Sequence, residues 1–278
     1  MTAGAMPVGP LWMIGCGNMG GAMLRQWLAA GLDPAAVTVV TRSGRGVPEG
    51  VRSTTAMPDG ERPATLVLAV KPQQLDVVAP LLAGVRPALL VSILAGVEVA
   101  ALAQRIDAAA IVRAMPNLPV AIGQGVTALY TATADAGVRQ TVTALAAALG
   151  HVEWVADEGA FDAVTALAGC GPGFVFRFAD ALAVAGAALG LPEEQARRLA
   201  LATLAGSAAM AVTADAPPAT LADRVASPGG STREGLNVLD AGRALERLMI
   251  DTLAASARRN SEMAAAARQA PTGMPPLA

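Results

Sequence analysis

Gly15-Cys16-Gly17-Asn18-Met19-Gly20 stands directly behind the apolar run Leu11-Trp12-Met13-Ile14, with its glycines spaced G-x-G-x-x-G. Residues of this type at this spacing suit one task, which is bringing backbone close to a pyrophosphate. Gly15 permits a tight turn, Gly17 leaves room for phosphate, and Gly20 lets the following helix pack against the strand. The free N–H groups and dipole of that helix favour an anion. The pattern predicts a helix through Ala22-Met23-Leu24-Arg25-Gln26-Trp27-Leu28 that stops at Gly31. In a chain with 29 glycines the hexapeptide is a weak signal by itself, so the surrounding elements must decide.

Those elements repeat one plan. Val37-Thr38-Val39-Val40-Thr41 is a β-branched run, a second strand by composition. An NAD site places an acid about 20 residues past the glycines to hold the ribose 2′-hydroxyl. Here Thr41-Arg42-Ser43-Gly44-Arg45 follows instead, with no acid. Arg42 and Ser43 suit a 2′-phosphate, so NADP(H) is the preferred cofactor, with NAD(H) possible. Residues 50–52 read as a brief strand. The run 64–70 is almost continuously apolar, as in strands buried on both faces of a parallel sheet, and it closes on Val70-Lys71-Pro72-Gln73. Residues 88–93 lead in the same way to Ala95-Gly96, and residues 110–115 to Pro116-Asn117. Ligands of doubly wound sheets gather outside the carboxyl ends of the strands. The glycine loop, Arg42, Lys71-Pro72-Gln73, Ala95-Gly96 and Pro116-Asn117 all fall at such ends.

A further strand is expected at 123–130, a helix at 141–149 and a last strand at 151–155. From Asp157 onward long alanine and leucine segments replace the β-branched runs. The fold class is therefore α/β: an N-terminal doubly wound, Rossmann-type parallel sheet over residues 1–157, then an all-α helical domain over 158–267. Residues 268–278, with three prolines, read as a disordered tail. Three or four helices are expected, including 172–190 and 192–214. They are apolar nearly all round. A helical domain of this size rarely buries so many faces alone, which predicts an obligate homodimer or a larger homo-oligomer.

Composition narrows the function classes. A net charge of −2 gives no reason to expect nucleic acid or an anionic membrane surface. The apolar stretch near 174–191 is interrupted by Arg177 and Asp180, and the one near 199–212 is too short to span a bilayer. No basic region precedes an apolar leader, so a soluble cytoplasmic protein is expected. Cys16 and Cys170 are too few and too far apart for a disulfide framework or a metal cluster, and no metal is expected. The single histidine, His151, reads as a structural residue at a strand start.

Ser227-Pro228-Gly229-Gly230-Ser231-Thr232 is a second small-residue loop, flanked by Leu221-Ala222-Asp223-Arg224 and Gly235-Leu236-Asn237. With it the chain resembles the pyrroline-5-carboxylate reductase family over nearly its whole length. The resemblance runs from the 15–20 loop through Ala69-Val70-Lys71-Pro72-Gln73, Ser92-Ile93-Leu94-Ala95-Gly96, Arg113-Ala114-Met115-Pro116-Asn117 and Gly169-Cys170-Gly171-Pro172 to the 227–232 loop. Departures are Ala168, Cys170 and Gly173 where the family usually has serine or alanine, Leu118 where threonine is common, and Ser231.

The resemblance implies hydride transfer from NAD(P)H to the C=N carbon of 1-pyrroline-5-carboxylate, giving L-proline. The substrate is then a small cyclic imine carboxylate. A protonated imine is already electrophilic, so orientation supplies much of the rate without a catalytic histidine. Ser227, Gly229, Gly230, Ser231 and Thr232 are expected to cradle the carboxylate through backbone N–H groups. The Thr232 hydroxyl, the expected catalytic group, bonds the ring nitrogen. Gly15, Gly17, Asn18, Met19 and Gly20 hold the cofactor phosphates. Val70, Lys71, Pro72, Gln73, Ala95, Gly96, Pro116 and Asn117 line its ribose and nicotinamide side. The resemblance also implies an active site at the dimer interface.

Two alternatives remain open. One is a related imine or β-hydroxy-acid reductase on the same plan; the hydroxy-acid kind needs a lysine on the first long helix of its second domain, and the segment after Gly171 offers Arg177 and Asp180 but no lysine. A non-catalytic NADP(H)-binding protein fits the changes at Ala168, Cys170 and Gly173.

Overall fold

The structure, a computed structural model, describes residues 9–269 apart from 43 and 45. The chain begins as alternating strands and helices: β1 (Leu11–Ile14), α1 (Asn18–Ala29), β2 (Val37–Val40), β3 (Arg52–Thr54), β4 (Thr65–Leu68), α2 (Leu75–Val78), β5 (Leu89–Ser92), α3 (Val99–Ala103) and β6 (Ala110–Pro116). Then come β7 (Gly125–Tyr130), α4 (Ala136–Ala147) and β8 (Gly150–Trp154). The strands form one eight-stranded sheet in the order β3-β2-β1-β4-β5-β6-β7-β8, with the switch in direction of winding between β1 and β4. That crevice is where a doubly wound sheet binds its ligand.

The apolar runs that predicted strands are the central ones. β1, β2, β4, β5 and β6 are buried along their whole length. Alternate residues serve opposite faces, as the period of two requires. Leu11 and Met13 pack with Met23, Leu24 and Trp27 of α1 and with Leu145 of α4. Trp12 and Ile14 pack with Leu75 of α2 and Leu102 of α3. The Trp27 indole N–H also donates to the Leu145 carbonyl at 2.8 Å, joining α1 to α4.

The sheet is not wholly parallel: β7 runs antiparallel to β6, with Pro116 opposite Thr127. Residues 117–124 are too few for a crossover of about a dozen residues, so the chain reverses through the 3₁₀ turn Leu118–Ile122. The helix expected at 141–149 begins earlier, at Ala136, because the Asp135 carboxylate accepts from the Val138 N–H at 2.8 Å and caps it.

Helical structure follows in α5 (Phe161–Val164), a π turn (Thr165–Gly169), α6 (Gly171–Ala188), α7 (Glu193–Thr213), α8 (Pro218–Arg224), α9 (Ser231–Asp240) and α10 (Ala244–Gln269). Of the tail expected beyond 267, residues 268 and 269 continue α10, and the remainder lies outside the described residues. The chain divides into two compact units. One runs to Cys170 and takes in the last helix from Ser256, and the other is Gly171–Ala255. Composition changes at 157, yet residues 158–170 belong with the sheet, because Arg113 and Asn117 of β6 and its end bond to them.

In the second unit the apolar residues that are buried, among the described residues, are Ala179, Ala196, Ala200 and Ala226. Phe176, Val184, Leu189, Leu201, Met210 and Val212 are all exposed on the single chain, Leu189 at 89%. The run Glu158–Ala188 has the length and apolar composition of a membrane-crossing helix, with little of it buried within the chain.

Candidate active site

Backbone hydrogen bonds carry the carboxyl ends of four strands into one row. Gly15 N–H donates to Val40 O at 2.8 Å, Ala69 N–H to Ile14 O at 2.9 Å, and Ile93 N–H to Leu68 O at 3.1 Å. The loops after β1, β2, β4 and β5 therefore begin side by side. They carry the 15–20 glycines, Arg42, residues 70–73 and Ala95-Gly96 respectively.

The glycine loop is built as its sequence requires. Gly15 has φ +91°, and a Cβ there would lie 2.7 Å from the Ala69 carbonyl oxygen. A Cβ at Gly20 would lie 2.9 Å from the Ala69 Cβ, so α1 packs directly on the end of β4. At Gly17 a Cβ would meet nothing within 4 Å. Its bareness serves no contact within the chain, which is what a cradle for an incoming phosphate requires. Gly17 is the N-cap of α1. No side chain among the described residues caps it, and the first turn contains no acid. The N–H groups of Asn18, Met19 and Gly20 thus lack intrahelical partners at the positive end of a twelve-residue helix. These features fit a dinucleotide diphosphate.

Cys16, between the glycines, is half-buried and places its Sγ 3.6 Å from the Gly46 carbonyl oxygen. Burial pushes its thiol up from the ordinary cysteine range, and the nearby Arg25 partly offsets this. The thiol therefore stays protonated near neutral pH and points at the loop after β2 rather than acting as a nucleophile. Arg42 is exposed in that loop, while Ser43 lies outside the described residues. Sequence reading passed over Arg25, whose Nη1 lies 3.3 Å from where a Gly21 Cβ would stand. An arginine four residues after a bare helical glycine is the signal that could have found it.

Lys71 is exposed, and its backbone N–H donates to the Gln74 side chain at 3.3 Å, opening the short turn Pro72–Gln74. Val70 is half-buried against the layer that holds Trp12 and Ile14. Gly96 faces α10, where an added Cβ would come within 3.3 Å of the Ala264 Cα. Behind these loops lies a cavity of about 520 Å³, bordered by Pro72, Gln73, Ala95, Gly96, α3 and the Arg259–Met263 side of α10.

Asn117 and Pro116 close β6. Asn117 is buried, its Nδ2 donates to the Ala168 carbonyl at 3.0 Å, and its Oδ1 accepts from the Val126 N–H at 2.8 Å. Both ends of the amide are thereby occupied in bracing the π turn and β7. Buried Arg113, which sequence reading did not select, pairs with Glu158 at 2.6 Å and lies over the Phe161 ring at 4.3 Å. His151 is exposed beside Glu153 at 3.3 Å, a surface pair.

The 227–232 loop belongs to the second unit, and its local build repeats that of the first glycine loop. Gly229 has φ +71°, Gly230 N–H donates to Ser227 O at 3.0 Å, and Gly230 is the N-cap of α9. No described side chain caps this helix either. Ser231 and Thr232 form its first turn and are exposed. Arg233 ties the base of the loop by donating to the Asp223 carboxylate at 2.8 Å and to Ala226 O at 3.4 Å. Converging N–H groups of this kind suit a carboxylate as well as a phosphate.

A doubly wound sheet with a phosphate cradle at β1, followed by a helical unit with a second anion-receptive turn, defines a dinucleotide-dependent oxidoreductase. Comparison with known proteins agrees. A family model described as pyrroline-5-carboxylate reductase dimerisation matches residues 158–263, and one described as NADP oxidoreductase, coenzyme F420-dependent, matches residues 11–96. A pyrroline-5-carboxylate reductase of Pseudomonas aeruginosa is 35% identical over 264 residues, 90% of this chain and 95% of that protein. The solved pyrroline-5-carboxylate reductase of Coxiella burnetii superposes with a TM-score of 0.85 at 32% identity, covering 92% of this chain and 99% of that one. The Plasmodium falciparum pyrroline carboxylate reductase, solved with NADP bound, gives 0.80 at 26% identity over 94% and 100% of the two chains. The chain belongs to the pyrroline-5-carboxylate reductase family.

Proposed function

We propose that this protein reduces 1-pyrroline-5-carboxylate to L-proline with NADPH, the last step of proline biosynthesis. The observation that carries this reading is the pair of family matches, which between them take in both glycine loops. NADP(H) is the cofactor and supplies the hydride when bound; NAD(H) is a possible second donor. The N–H groups of Gly17, Asn18, Met19 and Gly20 hold its diphosphate, and Arg42 neutralises the 2′-phosphate. Residues 70–73, Ala95, Gly96 and Pro116 line its remaining length.

Residues 227–232 receive the substrate carboxylate on the free N–H groups at the start of α9. The Thr232 hydroxyl bonds the ring nitrogen and fixes the face of the C=N bond presented for reduction. Because the imine is protonated and becomes a neutral amine, the residues have only to bind, orient and exclude water. Residues 1–157 act as the dinucleotide domain, with 158–170 and α10 from Ser256 in the same compact unit, and the helices between them act as the substrate and dimerisation domain.

The protein works as a homodimer or larger homo-oligomer in the cytoplasm, without a nucleic-acid or membrane partner. The exposed apolar face of α6 and α7 supports subunit association, and Arg177 and Asp180 within α6 favour that reading over a membrane span. The direct test follows NADPH oxidation with 1-pyrroline-5-carboxylate and detects proline as product. NADPH binding without turnover would overturn the enzyme reading in favour of a binding protein.

A further inference from the structure

Glu158 joins three separate parts of the first unit through a single oxygen. Its Oε1 accepts from Arg113 Nη1 at 2.6 Å and from the backbone N–H of Val99 at 2.9 Å. Arg113 is buried in mid-β6, opposite Ser92 of β5, with its guanidinium also over the Phe161 ring. Val99 opens α3, three residues after Gly96. The N-cap of α3 is Glu98, whose side chain makes no capping bond to the helix. The cap is supplied instead from 59 residues away, by a carboxylate that the Arg113 ion pair holds in place.

We propose that Glu158 is a positioning residue for the cofactor: through the Val99 N–H it fixes the 95–98 turn against which the dinucleotide lies. The inference rests on the reading of Ala95 and Gly96 as cofactor-lining residues. The turn is pinned on its other side by α10, since Gly96 packs against the Ala264 backbone. The Glu158–Val99 bond holds the opposite side of the turn and stiffens it. A rigid turn binds the dinucleotide without a further ordering cost.

Removing Glu158 alone would strand the buried Arg113 charge and endanger folding. Two double variants avoid this. Arg113→Met with Glu158→Met removes both charges and the acceptor, while Arg113→Met with Glu158→Gln removes the charges and keeps an oxygen for Val99. Val99→Pro is a third, independent route: it deletes the N–H at the first helical position, where proline is tolerated, behind a Glu98 already extended at ψ 157°.

The measurements are NADPH dissociation by calorimetry and amide exchange of the 95–103 segment in the ligand-free protein. The Met/Met and Val99→Pro proteins are expected to bind NADPH about tenfold more weakly and to exchange faster there, with the Met/Gln protein returning towards wild type. NADPH affinity within twofold of wild type in Met/Met or Val99→Pro would overturn the proposal. So would a Met/Gln protein as weak as Met/Met, because the effect would then belong to the lost charge. Failure of the wild-type protein to bind NADPH would instead overturn the cofactor reading itself.

Discussion

Asn117 gives Ala168 the hydrogen bond that its own helix cannot. The Asn117 Nδ2 lies 3.0 Å from the Ala168 carbonyl oxygen. Four residues on, where an α-helix would supply the donor, stands Pro172, which has no N–H. The backbone widens into a π turn, with Cys170 N–H bonding Thr165 O at 2.8 Å, and the orphaned carbonyl is met from β6. The same amide holds β7 through Val126.

Asn117→Ala should therefore act first on stability. It leaves a half-buried carbonyl and a half-buried N–H without their partner, each costing at most about 1–3 kcal/mol. In a domain of this size that lowers the thermal midpoint by roughly 2–4 °C per kcal/mol. Thermal denaturation of the apoprotein checks it. An unchanged midpoint with weakened NADPH binding would show that the amide serves the cofactor instead of bracing the turn.

The three glycines of the first loop should respond differently to the same change. Gly15→Ala forces a side chain at φ +91° into the Ala69 carbonyl, and Gly20→Ala forces one into the Ala69 Cβ at 2.9 Å. Both should lose stability by about 1–3 kcal/mol. Gly17→Ala meets open space within the chain, so it should keep the wild-type midpoint and lose NADPH affinity. If Gly17→Ala bound NADPH like wild type, the phosphate would not lie where the loop leaves room for it.

Arg42→Asp should shift the cofactor preference. A charge-assisted bond to a 2′-phosphate is worth about 1.5–3 kcal/mol, or roughly 10- to 150-fold in kcat/KM for NADPH over NADH. The side chain is exposed, so the wild-type preference should also fall as salt rises. Paired steady-state assays with both cofactors measure it. An unchanged ratio in the variant would remove Arg42 from the 2′-phosphate site.

What could be read in the sequence was whatever its neighbours in the chain determine. The strands Thr65–Leu68 and Leu89–Ser92 are legible because burial on both faces demands a nearly unbroken apolar run. The 15–20 loop is legible because each glycine answers a local steric demand. The Arg113–Glu158 pair joins residues 45 apart, and nothing in a polar segment such as Ala156-Asp157-Glu158-Gly159 distinguishes a linker from an anchor. The same holds for Asn117: a proline in the helix creates the demand, and an amide far away in sequence satisfies it. The antiparallel β7 was hidden because a strand's direction depends on the length of its connection rather than on its own residues.

Thr232→Val tests the substrate side. The methyl preserves the shape of the first turn of α9, where Thr232 is exposed and caps nothing. Stability should therefore stay within about 0.5 kcal/mol of wild type. Loss of a hydrogen bond to the imine nitrogen should lower kcat/KM for the imine by about 10- to 100-fold while leaving NADPH affinity intact. Full kcat/KM in the variant would exclude that hydroxyl from the reaction.

The helical unit makes the strongest demand for a partner. Its buried apolar residues, among the described residues, are four alanines, while Phe176, Val184, Leu201 and Met210 stand exposed on α6 and α7. Burying a large apolar side chain contributes about 1.5–3 kcal/mol, and a two-fold interface gains each contribution twice. Association of this strength makes the thermal midpoint rise with protein concentration. Phe176→Asp places a charge on that face and should yield a less stable species that sediments as a monomer, with activity lost in parallel. Sedimentation and activity measured across one dilution series check both effects. A monomer with full activity would show that subunit association is not required for catalysis.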